Sequence, residues 1–202
     1  MNITGISLFS GLGGDSLGMK NAGVNLIAYS ELNEKFRKSH DLNFPDCVCL
    51  GDDVGSNIIK IKNKEFLKYK KKVNILFAGF PCQGFSNAGK KLPNDPRNTL
   101  FREFLRCATK IEPDVIIGEN VKGLLSRKTV DNSKYIDVII KEFTNINYKC
   151  IFKVFKCHKY NIPQKRERLI ILGIKNTLLN KYNLEFPNEE IENTDKTSLK
   201  NI

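Results

Sequence analysis

Residues 3–14 read Ile3-Thr4-Gly5-Ile6-Ser7-Leu8-Phe9-Ser10-Gly11-Leu12-Gly13-Gly14, an apolar run that ends in a glycine-rich turn. The run predicts a buried strand, and residues 15–21 have the pattern of a helix that ends near Gly23. A strand, a tight turn and a helix in this order are typical of the first unit of a parallel α/β sheet.

The same alternation continues along the chain. Further strands are predicted at residues 24–29, 47–50, 73–78, 114–118, 150–155 and 169–174. Further helices are predicted at residues 34–42, 57–69, 99–111 and 133–143, the last with Ser133 as its N-cap. Strands that alternate with helices predict an α/β fold, with a mostly parallel sheet and helices on both faces.

Composition and charge indicate where the protein is located and what kind of partner it binds. The chain has 202 residues, without an apolar run of membrane-spanning length or a secretory signal at its start, so we expect a cytoplasmic protein. Its formal charge is +11, divided between +13 on residues 1–175 and −2 on residues 176–202. A basic body suits a polyanionic partner such as nucleic acid, although a Lys-rich composition that only solvates the surface is an equal alternative.

Cys82 stands apart from the other five cysteines. Without an export signal we expect the cysteines to be reduced, and Cys47 with Cys49 does not form a zinc pattern. Cys82 follows a predicted strand, and Pro81 fixes the backbone path before it. A cysteine at this point faces a cleft and is a nucleophile once ionised, whereas the alternative is a small buried hydrophobe.

Glycine-rich or acidic segments directly follow four of the predicted strands. They are residues 9–14, Glu31, Asp52 with Asp53, and residues 79–82. Ligands of open α/β sheets bind outside the carboxyl ends of the strands, so one cleft is expected to collect these segments together with Glu119.

The residue types indicate what this cleft binds. The turn lacks the glycine spacing of a dinucleotide site, which favours a smaller adenosine-type ligand. Glu31 is placed to accept from ribose hydroxyls and Asp52 from an adenine amino group, although each acid taken alone is better explained as a solvated loop carboxylate. We expect desolvation to keep Glu119 protonated, so that it donates a hydrogen bond. Arg166 and Arg168 offer guanidinium groups at the start of a strand, or only a charged surface.

In these segments the chain resembles the carbon-5 cytosine-specific DNA methyltransferase family. The resemblance is carried, in the family's order, by residues 7–14, Glu31, 51–52, 79–83, 97–101, 119–121 and 164–168. It implies a Rossmann-like S-adenosylmethionine-dependent methyltransferase fold, with residues 1–175 as catalytic domain and 176–202 as acidic tail or linker.

The resemblance also implies a role for each site residue. Cys82 adds to cytosine carbon-6, Glu119 stabilises the product at ring N3, Arg168 contacts the cytosine and Arg166 helps to order the site. Gln83, Ser86, Lys90 and Lys91 belong to a loop that closes on DNA, from which the target cytosine is rotated out. The donor is S-adenosylmethionine, and its site is made by Phe9, Gly11, Leu12, Gly14, Glu31, Leu32, Asp52, Asp53, Gly79, Pro81 and Leu100.

Three positions depart from the family pattern. Ser7 stands where an aspartate is usual, Leu32 where an aromatic residue is frequent, and Asp53 where an apolar residue is usual. We therefore expect a donor site of altered or reduced affinity.

The chain also stops near residue 202, where the family's target-recognition domain would begin. We expect a split enzyme whose second polypeptide supplies recognition and the missing packing, in the setting of a restriction–modification system. The alternatives are a truncated remnant or expressed fragment, a tRNA cytosine methyltransferase, and a domain that binds donor or nucleic acid without turnover.

Overall fold

The computed structural model describes residues 2–81, 100–129 and 131–188. Its centre is one seven-stranded sheet with the strand order β3-β2-β1-β4-β5-β7-β6. The strands are β1 (Thr4–Leu8), β2 (Asn25–Ser30), β3 (Val48–Cys49), β4 (Ile75–Ala78), β5 (Val115–Val121), β6 (Tyr148–Lys156) and β7 (Glu167–Lys175). The helices are α1 (Gly14–Asn21), α2 (Glu34–Asn43), α3 (Asn63–Leu67), α4 (Leu100–Ile111) and α5 (Tyr135–Asn145).

The predicted sheet is confirmed. The neighbours from β3 to β5 pair in parallel, whereas β7 pairs antiparallel with both β5 and β6. A long connection between parallel strands places helices on the sheet, and the antiparallel pair closes one edge of it. The Rossmann-like fold predicted from the resemblance is thereby confirmed.

The larger core lies on the sheet face that carries α3, α4 and α5. Helix α4 directs a wholly buried stripe toward β4 and β5, with Phe104 at its centre. The Phe104 ring packs at 5.0 Å from Phe143 of α5 and at 6.2 Å from Phe80, which directly follows the buried strand β4. This face therefore holds the chain just before Cys82 against the helices.

The opposite face carries α1 and α2 over β1, β2 and β3, where a smaller core is centred on Tyr29. The fully buried His40 of α2 stacks on the Tyr29 ring at 3.7 Å and pairs with Ser16 of α1 at 2.9 Å. Toward the other edge of the sheet this face is different, because the side chains of Phe77, Ile117 and Leu172 are only partly buried. These three residues pair across β4, β5 and β7, so they form one continuous apolar row.

The prediction of a helix over residues 57–69 is wrong for most of that range. A 3-10 turn at Asp52–Val54 is followed by a second turn, and only Asn63–Leu67 is helical. The Asn57 side chain accepts from the Ile59 amide at 3.2 Å, which offers the backbone an alternative to a helix.

The predicted N-cap of α5 is also wrong. The Ser133 hydroxyl donates a hydrogen bond to the Asp131 carboxylate at 3.0 Å and does not cap the helix. The helix begins two residues later, at Tyr135.

Replacement of Phe104 tests the larger core. Phe104→Ala removes a fully buried ring, so we expect the free energy of unfolding to fall by about 3–5 kcal/mol in denaturant titrations. Leu42→Ala is the control, because Leu42 is 85% exposed and its removal leaves no cavity. Equal unfolding midpoints for the two variants would contradict this description of the core.

Candidate active site

A cavity of about 700 Å³ opens at the carboxyl ends of β1, β2 and β4. It combines apolar side chains with a few polar groups, as small-molecule sites do. The residues around it are Phe9, Ser30, Glu31, Leu32, Asn33, Phe36, Ser56, Asn57, Ile58, Ile59, Gly79, Pro81 and Leu100.

The loop after β1 forms one wall. Its positive φ angles begin at Phe9 (58°) and continue at Gly11 (57°) and Gly13 (92°). Gly13 is the N-cap of α1, and a Cβ there would lie 2.6 Å from the Phe44 ring, so only glycine fits. The Ser10 amide donates to the Ser30 carbonyl at 3.0 Å, which ties this loop to the end of β2.

Glu31 joins the loops that follow β1 and β2. Its two carboxylate oxygens accept from the amides of Gly11 and Asn33, each at 2.8 Å. Its own amide donates to the Ser56 hydroxyl at 3.1 Å, which adds the loop after β3. The carboxylate is therefore fixed before any ligand arrives, with acceptor capacity left toward the cavity.

Arg37 stabilises the loops that follow β2 and β3. One of its terminal nitrogens donates to three carbonyls, those of Glu31, Leu32 and Gly55, at 2.9–3.0 Å. These carbonyls belong to the loops after β2 and β3, so Arg37 keeps the two loops at a fixed separation.

A second group of polar side chains lies where β4 and β5 end. The Arg168 Nε donates to Glu119 at 2.7 Å, and both side chains are about three-quarters buried. A Cβ on Gly79 would lie 3.8 Å from both the Glu119 carboxylate and the Phe9 carbonyl, so the two groups converge at this glycine. Asn120 donates to the Phe80 carbonyl at 3.0 Å, which holds the chain that leads toward Cys82.

Asp15 carries a half-buried carboxyl group in the first turn of α1, and the buried Ser7 hydroxyl donates to it. Burial is the main reason that the pKa of Asp15 rises from its ordinary 3.8 to about 6. The bonds from Ser7 and from the amides of Asp15 and Ser16 oppose the rise, while the negative charge of Glu119 adds to it.

The structure brings together six of the residues predicted for the donor site. Phe9, Glu31, Leu32, Gly79, Pro81 and Leu100 all line the cavity. Gly11 acts through its amide on Glu31. Leu12, Gly14, Asp52 and Asp53 are exposed and are not among the described residues of the cavity wall.

Of the predicted catalytic residues, Glu119 and Arg168 form a pair, whereas the Arg166 side chain is exposed. That Glu119 donates a proton stays a prediction. Cys82, Gln83, Ser86, Lys90 and Lys91 lie outside the described residues.

Seven residues of the cavity were missed by the sequence interpretation, three of them because residues 57–59 were assigned to a helix. They are Ser30, Asn33, Phe36, Ser56, Asn57, Ile58 and Ile59. The turn-forming residues Gly55-Ser56-Asn57, shortly after a predicted strand, could have predicted a loop at this place.

No described helix is long and apolar enough to cross a membrane. Among the described residues, no group of three or more His, Cys, Asp or Glu side chains is arranged to hold a metal ion.

Residues 3–202 match the family model described as C-5 cytosine-specific DNA methylase. Type II methyltransferase M.Eco47II of Escherichia coli is 38% identical over 186 residues, which cover 91% of this chain and 42% of that protein. Type II methyltransferase M.DdeI of Desulfomicrobium norvegicum is 35% identical over 203 residues, with 98% and 46% covered. The chain thus spans less than half the length of these relatives.

Solved structures show the same fold. A prophage-encoded protein of Escherichia coli, assigned as a DNA modification methyltransferase, superposes with a TM-score of 0.71 at 28% identity, over 93% of this chain and 50% of that one. Spodoptera frugiperda DNMT2 superposes with the same score at 23% identity, over 94% and 56% of the two chains.

The raised pKa of Asp15 predicts how Asp15→Asn changes stability with pH. The folded protein favours the protonated carboxyl, so the wild type loses stability as the pH rises from about 4 to about 6. Above pH 6 we expect Asp15→Asn to unfold with a free energy higher by on the order of 2 kcal/mol. Below pH 4 the difference disappears. Denaturant titrations from pH 4 to pH 8 measure it.

Glu34→Gln is the matched control, because Glu34 also lies in a first helical turn but is exposed and paired with Lys38 at 2.8 Å. This partner lowers the pKa of Glu34, so Glu34→Gln should not stabilise the protein above pH 6. Parallel curves for Asp15→Asn and wild type at every pH would contradict the burial of Asp15.

Proposed function

Because this chain belongs to the C-5 cytosine-specific DNA methylase family, we propose that it transfers a methyl group from S-adenosylmethionine to carbon-5 of cytosine in DNA. The observation that carries the proposal is the meeting of two sites at Gly79. The cavity wall reaches Gly79 from one side, and the Glu119–Arg168 pair lies beside it on the other. Cys82 follows only three residues later in the chain.

The residues of the cavity fit the donor. The cavity volume is in the range of sites for molecules of this size. The Phe9 and Leu100 side chains offer apolar surface for a purine, and the fixed Glu31 carboxylate offers acceptors for ribose hydroxyls. When bound, S-adenosylmethionine supplies an electrophilic methyl group on a sulfonium ion. Asp52 on the adenine amino group and Leu12 and Gly14 near the methionine portion remain parts of this proposal.

The protein's own groups make carbon-5 of cytosine a nucleophile. The Cys82 thiolate adds to carbon-6 while ring N3 receives a proton or a strong hydrogen bond from Glu119, which gives an enamine. Carbon-5 would then take the methyl group as the bond between that methyl and the sulfonium sulfur breaks, which leaves S-adenosylhomocysteine, and carbon-5 would lose its proton to solvent. The ring is restored when the bond between carbon-6 and the Cys82 sulfur breaks and the proton leaves N3.

The remaining site residues orient the cytosine and shield it from water. Arg168 is held against Glu119, where its guanidinium orders that carboxyl group beside the flipped base. Gln83, Ser86, Lys90 and Lys91 are proposed to close over the DNA, and Arg166 to help order the site.

Several of the other cysteines are poor candidates for the nucleophile. Burial raises the pKa of the Cys47 and Cys150 thiols to about 12, and burial also raises the pKa of Cys107. A thiol must ionise to attack, so these three residues supply little thiolate at neutral pH. This supports Cys82 as the reactive residue.

Substitution of Cys82 tests the mechanism. Cys82→Ala should abolish transfer of labelled methyl groups and the covalent adduct with DNA that contains 5-fluorocytosine, because the thiolate forms that bond. Glu119→Gln should reduce transfer by at least about 100-fold, the range expected for loss of a general acid.

Cys49→Ala is the matched control and should keep both readouts. Methylation by Cys82→Ala would rule out this mechanism. Labelling of tRNA in place of DNA would establish the alternative of a tRNA cytosine methyltransferase.

We also propose that activity needs a second polypeptide that carries target recognition. The support is the row of Phe77, Ile117 and Leu172, apolar side chains that are not fully buried on one face of the sheet. Among the described helices, α1 and α2 lie over the other half of that face. An apolar row that stays partly accessible fits a contact with further polypeptide.

The matched relatives contain more than twice the length that this chain spans. Those relatives bear the name Type II methyltransferase, which suits a role in DNA modification. The alternative is a remnant that binds donor or nucleic acid without turnover.

Reconstitution tests the second polypeptide. The chain alone should show little methyl transfer to DNA, and addition of the product of the neighbouring open reading frame should raise it by at least about 10-fold. Ile117→Asp should weaken that association, because a carboxylate would be buried at the contact. Full methylation by the isolated chain would contradict the need for a partner, and no methylation in either case would favour the remnant.

A further inference from the structure

Residues 55–62 contribute to the cavity wall without belonging to a helix or a strand. Residues 56–59 line the cavity, and no described strand pairs with them. The amides of Lys60 and Ile61 donate to the Asn57 carbonyl at 2.8 and 3.1 Å, which closes one isolated turn. Because an isolated turn is marginally stable, the shape of this part of the wall depends on side chains that reach it from elsewhere in the fold.

Arg106, in the middle of α4, reaches this turn. One of its terminal nitrogens donates to the Ile58 carbonyl at 2.7 Å, and the other donates to the Ile61 carbonyl at 3.1 Å. The second nitrogen also donates to the side chain of Asn63, the first residue of α3, at 2.8 Å. A single guanidinium group therefore holds the turn at two carbonyls and ties it to the helix that follows.

The guanidinium group is itself held in place. Glu103, one turn earlier on α4, accepts from the Arg106 Nε at 2.9 Å, and the Phe66 ring centroid lies 4.9 Å from the guanidinium carbon. The Arg106 side chain is only 25% exposed. A planar fork in a fixed orientation loses little freedom when it binds several acceptors, which a lysine ammonium group on a flexible stem does not reproduce.

The two carbonyls belong to residues that shape the cavity in different ways. Ile58 lines the cavity itself. Ile61 is buried, and its side chain packs so closely on Gly51 that a Cβ there would lie 2.4 Å from the Ile61 Cγ1. Gly51 starts the turn that contains Asp52, the residue proposed for the adenine amino group. Arg106 thus fixes both the wall at Ile58 and the residue on which the Asp52 turn packs.

Resting on the proposed function, we propose that Arg106 is a positioning residue for the nucleoside portion of the donor and acts through the Ile58 carbonyl. Arg106 is not among the residues that line the cavity, so its effect on a ligand passes through others. Helix α4 begins with Leu100, which also lines the cavity. By bonding the turn to α4, Arg106 sets the separation between Ile58 and Leu100 before a purine enters.

Calorimetric titration of the full chain with S-adenosylhomocysteine and with adenosine tests the assignment. Arg106→Lys keeps the positive charge, but one ammonium group cannot reach both carbonyls and Glu103. The turn then occupies its binding position for part of the time, and apparent affinity falls by that fraction. We expect both ligands to bind roughly 10-fold more weakly, the range for loss of a hydrogen bond to a charged group. The factor should be the same for both, because both contain the nucleoside.

Hydrogen exchange separates positioning from a general loss of structure. In Arg106→Lys the amides of Lys60 and Ile61 should exchange roughly 10-fold faster than in the wild type, whereas the amides of β4 should keep their protection. Saturating S-adenosylhomocysteine should return the two amides to the protection of the wild type, because the ligand binds the ordered form of the turn.

Tyr148→Phe is the matched control. It removes a buried hydrogen bond from a side chain to a carbonyl, that of the Tyr148 hydroxyl to Pro113 at 2.6 Å. Pro113 precedes β5, so this bond lies at the end of the sheet opposite to the cavity. Tyr148→Phe should leave both affinities unchanged, together with the exchange of the Lys60 and Ile61 amides.

The outcomes distinguish the role of Arg106 from the proposed function. Unchanged affinities in Arg106→Lys, weaker binding of S-adenosylhomocysteine alone, or faster exchange throughout β4 would each overturn the positioning role and leave the donor site standing. A wild-type chain that binds neither ligand would overturn the proposed donor, and the role of Arg106 with it.

Discussion

The Glu31 carboxylate is the interaction on which the candidate site depends. Each of its oxygens accepts from a backbone amide, one in the loop after β1 and one at the start of α2. The Glu31 amide is in turn bound by Ser56 from the loop after β3. One side chain thus connects three strand ends, and the cavity has a shape before a ligand enters it. Preorganisation of this kind reduces the ordering that binding must supply.

The two faces of the sheet differ in how completely helices cover them. The face under α4 and α5 is a continuous core around Phe104, and it fixes the chain as far as Phe80. Among the described helices, α1 and α2 cover the opposite face where they cross β1 to β3, and the glycine loop lies at that end. The cavity therefore opens near the covered end of this face, whereas the part near β5 and β7 lies under neither α1 nor α2.

The sequence was sufficient for all seven strands, because each contains a short apolar run bounded by turn residues or polar residues. The sequence also predicted that Phe9, Glu31 and Leu100 lie in one cleft, because each stands at the end of a predicted strand or the start of a predicted helix. It failed at residues 57–59, where the Asn57 side chain competes with helical hydrogen bonding. The pairing of Ser7 with Asp15 was equally out of reach, because it depends on how α1 crosses β1 and not on either residue alone.

The partly buried row of Phe77, Ile117 and Leu172 has a consequence for the abundance of the chain inside a cell. Under the two-polypeptide proposal, a partner that covers this row binds the folded state and not the unfolded one, so it adds stability in proportion to the logarithm of its concentration. The amount of folded chain would then follow the supply of its partner. Copies made in excess would spend more time unfolded and be removed by proteases, so degradation would keep the two polypeptides in balance.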